Sequence, residues 1–163
     1  MSHRLLWLAA AGAIGAAALA QAPAAAREPG IDAAAVIRAR QSAYMLSAAT
    51  FGGMKPVIDA GGDVKPLAFG AKALARWART LPTLFPAGTG AEAGVPTKAR
   101  PEIWSDRAGF EQRAAEYAAA ADRLAELAEA NDKAGFAAQW TATRQACSNC
   151  HDRFREQPPA QAR

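Results

Sequence analysis

Only two cysteines occur in the 163 residues, and they stand three apart in "QACSNCHDRFR" as Cys147 and Cys150, with His151 directly after them. Several chemistries could use such a trio. A dithiol redox motif belongs at the start of a helix beside a βαβ unit, where the first thiolate is stabilised. Here the motif falls late in a helical pattern, in a chain without convincing strand alternation. Zinc wants four ligands, and since His3 is the only other histidine, carboxylates would have to complete the shell. A disulfide within one helical turn would hold its sulfurs in poor geometry and leave His151 without a role. Cys-x-x-Cys-His is the attachment signature of c-type haem. Two thiols at this spacing can add to the vinyl groups of one porphyrin edge, and the next residue brings an imidazole to the iron. The expected cofactor is therefore one covalently attached haem c with its iron, held by Cys147 and Cys150 and ligated by His151.

The sixth position of the iron is open at this level. His3 is expected to leave with a leader sequence, so a second imidazole is excluded and the choices are Met45, Met54 or no protein ligand. A methionine on an apolar helix face is usually core filler.

These residues need helices to position them. Phe110, Ala114, Tyr117, Ala121, Leu124 and Ala128 recur at spacings 4, 3, 4, 3, 4, an apolar stripe that Ser105 or Asp106 can cap. Phe136, Trp140, Thr143, Cys147, Cys150 and Phe154 repeat the pattern behind Asp132 and are expected to run out at Pro158-Pro159. The two or three residues between these stripes require antiparallel neighbours. Upstream, Asp32 can cap a helix with Ile37, Tyr44, Ala48 and Phe51 on one face, broken at Pro56. After a turn at "AGGD", Pro66 opens another helix, with Leu67, Ala71, Leu74, Ala78 and Leu81 on one face up to Pro82. From Pro82 to Ile103 no period is sustained, which predicts a long crossover loop. The fold class is all-α, an antiparallel four-helix bundle with that one crossover.

The opening "MSHRLLWLAAAGAIGAAALAQAPAAA" has a cation at Arg4, an apolar run from Leu5 to Ala20 and small residues after it, and reads as a signal peptide over residues 1–26, with cleavage after Ala26 or already after Ala20. The run is short of the roughly 20 apolar residues of a spanning helix. Residues 27–163 are thus expected to be one exported domain, in the periplasm and without a membrane attachment once the leader is gone. Net charge is +4, or +3 without Arg4, and the cations are interleaved with acids, so no nucleic-acid footprint is expected.

Cys-x-x-Cys-His near the C-terminus, with "RARQSAYM" in the first helix, "FGGMKPV" after it and "RPEIWSD" before the third, resembles the class II c-type cytochromes, and within them the cytochrome c′ family. The resemblance covers about Ile31 to Arg155. It implies a twisted four-helix bundle, usually a homodimer packed through helices of its first half. Low-spin relatives carry a methionine ligand four residues after the first-helix arginine; Tyr44 stands in that slot here, counted from Arg40. The resemblance therefore implies a five-coordinate, high-spin iron with Tyr44 crowding its distal face. It also implies that Arg40 pairs with a haem propionate, that Arg155 lies by the proximal face, and that Phe51 and Phe85 are walls of the distal pocket.

The expected function is binding of diatomic gases, nitric oxide and carbon monoxide, with a possible electron-transfer role toward periplasmic redox partners. The alternative is a low-spin electron carrier with a methionine sixth ligand. No catalytic residue is expected, because peroxidase chemistry needs a distal acid-base group and no histidine is spare.

Overall fold

In the computed structural model the described residues are 30–157; the expected leader with its cleavage sites, and Pro158-Pro159, lie outside them. Four long helices form the bundle: α1 (Ala33–Asp59), α2 (Ala68–Thr80), α4 (Arg107–Glu129) and α5 (Lys133–Phe154), with a one-turn helix α3 (Glu102–Ser105) before α4. Among the described residues there is no strand, only an isolated antiparallel bridge between Ala99 and Arg155.

Three aspartates start the long helices where the sequence places them. Asp32 accepts from Ala35 N at 2.9 Å, Asp106 from Gly109 N at 3.2 Å and Asp132 from Gly135 N at 2.9 Å, each satisfying one of the free amides of a first turn. Replacing Asp132 by alanine should cost about 0.5–2 kcal/mol. For a chain of this size that lowers the melting temperature by about 2–4 °C per kcal/mol, measurable by thermal denaturation followed by circular dichroism.

The helix boundaries correct the sequence reading in three places. Pro66 and Leu67 lie in a 3-10 turn (Lys65–Leu67), and α2 itself begins at Ala68. Pro56 does not break α1, which continues to Asp59. The proline sits in the last turn, so only one intrahelical donor is missing, and the amides of Ala60 and Gly62 still close on Pro56 O and Val57 O at 3.0 and 2.9 Å. At the other end α5 stops at Phe154, ahead of the prolines. The cause is a pairing with the crossover: Arg100 N donates to Phe154 O at 3.1 Å and Glu156 N to Lys98 O at 2.9 Å, which pulls the backbone into an extended path.

The segment from Pro82 to Ile103 contains local order that periodicity does not reveal, namely 3-10 turns at Leu81–Leu84 and Ala91–Ala93 and the start of α3. Three residues join α4 to α5, and Asn131 closes that turn in the left-handed region at φ 51°. Its side chain accepts from Val64 N at 3.1 Å, and Lys133 Nζ donates to Gly61 O at 2.9 Å, so the two short turns are tied together at one end of the bundle.

The core has two parts. One gathers Met54, Val64, Leu74, Leu124, Leu127 and Phe136, and the other Leu81, Phe85, Ile103, Phe110, Ala114 and Phe154. Helix α2 packs chiefly on α4, and α4 on α5, whereas α1 meets α5 only sparingly. The bundle is therefore open between its first and last helices, and this opening holds the site.

Candidate functional site

A cavity of about 1100 Å³ lies where α1 stands away from α5. This is slightly above the roughly 300–1,000 Å³ of ordinary small-molecule pockets. Cys147, Cys150 and His151 line it from α5, Arg40, Tyr44 and Phe51 from α1, Phe85 and Lys98 from the crossover, and Arg155 from the chain leaving α5. The sequence thus names residues that the fold gathers from both ends of the chain.

The chemistry of the α5 residues separates the competing readings. Both cysteines are free and half-buried. Burial raises the Cys147 thiol, and burial together with Cys147 pushes the Cys150 thiol up to about 11. An exchange-active dithiol needs the opposite shift. The motif also sits at the C-terminal end of its helix, whose dipole disfavours a thiolate. Burial, and then Arg155, lower the His151 pKa below its usual value, so the imidazole is neutral at neutral pH, the form that binds a metal. Among the described residues no three His, Cys, Asp or Glu side chains gather as a metal cage, which removes the zinc reading there. A large cavity bordered by two thiols and one neutral imidazole on a single helix fits a c-type haem.

Tyr44 is braced by Trp77, edge to face at 5.1 Å and 89°. Burial raises its phenol above the ordinary value, so it is a neutral phenol across the physiological range. Its hydroxyl has no hydrogen-bond partner among the described residues. Met45, the next residue, is 75 % exposed at the rim, and Met54 is 2 % exposed within the core cluster under α2. Neither methionine sulfur is placed as an inward-facing ligand, and the α1 side chain that lines the cavity at this level is the neutral phenol of Tyr44.

Phe51 is stacked flat on Trp140, centroids 4.7 Å apart and planes at 2°, and the Trp140 indole donates to Phe51 O at 3.1 Å. This pair is the main bond between α1 and α5 and closes one end of the cavity. Phe85 lies in the second core cluster, edge-on to Phe110 at 5.1 Å and beneath the Arg40 guanidinium at 4.3 Å.

Arg40 is bonded to the crossover through its guanidinium. It is 2 % exposed, and its two terminal nitrogens donate to Leu84 O, Thr89 Oγ1, Thr89 O and Thr97 Oγ1 at 2.7–3.4 Å. All four donors of the fork meet the crossover. Lys98, Arg144 and Arg155 are instead the exposed cations around the cavity, and none makes an ion pair among the described residues.

Several walls escaped the sequence reading. Trp77 follows Leu74 by three residues, a spacing that could have placed it on the inner face of α2. Tyr117 and Trp140 belong to the apolar stripes, and periodicity does not distinguish a side chain packed against protein from one lining a cavity.

Comparison with known proteins agrees with this geometry. The model of the family described as Cytochrome C′ matches residues 35–155. Cytochrome c′ of Rubrivivax gelatinosus is 36 % identical over 122 residues, covering 74 % of this chain and 93 % of that protein. Among solved structures, a nitric oxide complex of a single-site variant of cytochrome c prime from Alcaligenes xylosoxidans superposes with a TM-score of 0.69 at 29 % identity, covering 77 % of this chain and 97 % of that one. A carbon monoxide-bound variant of the same protein gives a TM-score of 0.67 at 30 % identity, covering 75 % and 94 %.

Proposed function

The chain belongs to the cytochrome c′ family, whose members contain haem iron, and from that membership we propose that it binds small diatomic gases at a five-coordinate haem c. In this reading Cys147 and Cys150 form the two thioether bonds of a single haem and His151 is the proximal ligand. The group supplies an iron that takes nitric oxide or carbon monoxide.

The observation that carries the proposal is the inventory of the cavity wall. Among the described residues, one neutral imidazole faces the cavity, Met45 is turned outward, Met54 is packed elsewhere, and the group standing in from α1 is a protonated phenol. An unligated position walled by Tyr44, Phe85 and other rings favours small neutral ligands. The same gases are bound in the Alcaligenes xylosoxidans structures.

The reading makes the protein a binder and not an enzyme, since among the described residues α1 brings no histidine or carboxylate to the cavity and the Tyr44 phenol, its pKa raised by burial, holds its proton. Export to the periplasm rests on the leader, and among the described residues no helix is long and apolar enough to cross a membrane. Electron exchange with periplasmic redox partners is a secondary role, to which the exposed Lys98, Arg144 and Arg155 are suited through an acidic partner surface.

The test is spectroscopic. Reduced protein should show a high-spin spectrum, and its Soret band should move on adding carbon monoxide or nitric oxide. A low-spin, methionine-ligated spectrum that ignores both gases would refute the proposal.

A homodimer through the first half of the chain is part of the same reading. Met45 and Leu46 on α1 and Phe69 on α2 are 75, 70 and 84 % exposed, large apolar side chains in the half of the chain assigned to the contact. Sedimentation should give twice the monomer mass, and Leu46→Glu with Phe69→Glu should return it to the monomer mass. A monomeric parent protein would dismiss this contact.

A further inference from the structure

A guanidinium has five N–H donors. In Arg40 the four on the terminal nitrogens all go to one stretch of chain. Nη1 donates to Leu84 O at 3.4 Å and Thr89 Oγ1 at 2.9 Å, and Nη2 donates to Thr89 O at 2.7 Å and Thr97 Oγ1 at 3.0 Å. The guanidinium also lies 4.3 Å from the centre of the Phe85 ring. Thr89 is fully buried, and its hydroxyl in turn donates to Pro86 O at 2.8 Å. One residue on, Gln41 donates to Pro96 O at 2.9 Å. A single turn of α1 therefore grips residues 84–97 at several points. Apart from this grip the stretch has one 3-10 turn of its own at Ala91–Ala93, positive-φ glycines at Gly88 and Gly94, and two bonds from the α3–α4 side, Trp104 Nε1–H to Pro86 O at 3.1 Å and Arg107 Nη1–H to Phe85 O at 3.3 Å.

We infer that Arg40 is a positioning residue, which fixes the crossover as a wall of the cavity by donating its fork to Thr89, Thr97 and Leu84, and does not hold a haem carboxylate with that fork. Phe85, Thr97, Lys98 and Ala99 line the cavity from the clamped stretch. Only the Arg40 Nε–H remains free of these bonds, and a single donor cannot form the two parallel bonds of a guanidinium–carboxylate pair. Burial of a polar donor is tolerated when it is fully bonded, and here neutral oxygens supply the bonding. The haem carboxylates are then left to cations elsewhere on the wall.

The exclusion of a haem carboxylate from the fork and the second readout rest on the haem-binding reading, whereas the clamp and the first readout are independent of it. Thr89→Val with Thr97→Val removes the side-chain acceptors while keeping Arg40 and the side-chain shapes. In the full holoprotein, hydrogen exchange of amides in 84–97 should speed up by about tenfold in this pair and in Arg40→Lys, and their combination should do no more than Arg40→Lys alone. The reduction potential should move in the same direction in both. A threonine pair that leaves exchange and potential unchanged would overturn the inference, and so would effects that simply add. If Arg40→Lys fails to fold, Thr97→Val alone decides, by the presence or absence of faster exchange. Loss of gas binding with loop exchange behaving as expected would refute the haem reading and leave the clamp standing.

Discussion

Replacing Cys147 and Cys150 together by alanine is expected to free the haem from the polypeptide, so that acid–acetone extracts the colour from the variant and leaves it with the unaltered protein. Intact-mass measurement should show one added haem on the parent and none on the variant. Each single replacement should retain one bond and shift the reduced pyridine haemochrome band toward that of a haem with one unreacted vinyl group. The size of the effect follows from what would be left. The cavity is open between α1 and α5, whose main direct link is the Phe51–Trp140 stack, so non-covalent packing closes only part of it. With both thiols gone, the bond from His151 and this partial enclosure are the remaining hold. A parent protein of unmodified mass would refute the cofactor assignment, because the buried, protonated thiols at the end of α5 serve no exchange chemistry.

Much of this arrangement is legible in the sequence because its causes are local. The stripes from Phe110 to Ala128 and from Phe136 to Phe154 follow from helical geometry, and Asp106 and Asp132 cap where a short acceptor precedes each stripe. Cys-x-x-Cys-His carries its chemistry within one helical turn. What escaped depends on partners distant in the chain. Pro56 reads as a breaker, and only its place in the final turn of α1 makes it harmless. The early end of α5 is set by Lys98 and Arg100, more than fifty residues upstream. Arg40 illustrates the limit best. Family resemblance selected it as important, but its partners Thr89 and Thr97 sit in a stretch without period, so nothing local reveals that its donors are already taken.

Tyr44→Ala is expected to raise the rate of carbon monoxide association by about 5- to 150-fold, whereas Tyr44→Phe should leave it almost unchanged. In the proposed five-coordinate site, a ligand approaching from the α1 side would have to displace the Tyr44 ring. That costs an off-rotamer side chain, about 0.5–1.5 kcal/mol, and the edge-to-face contact with Trp77, about 0.5–1.5 kcal/mol. The total of about 1–3 kcal/mol gives the quoted range at about 1.4 kcal/mol per tenfold. The hydroxyl is not part of this cost, since it has no hydrogen-bond partner among the described residues and its proton stays in place. Burial is the first cause of its raised pKa, with Arg40 opposing. Deprotonation would put an anion into a space that disfavours charge, so the phenolate is absent below the ordinary tyrosine pKa of about 10. The ferric spectrum should accordingly show no phenolate-to-iron charge-transfer band between about pH 6 and pH 10, and Tyr44→Phe should match the parent throughout. The alanine variant leaves a cavity, and comparison of melting temperatures separates that general loss from the change in ligand access. Equal acceleration in the phenylalanine and alanine variants would transfer the barrier from the ring to the hydroxyl and overturn the steric account. No acceleration in either would place the barrier elsewhere on the cavity wall, with Trp77 the next ring to replace.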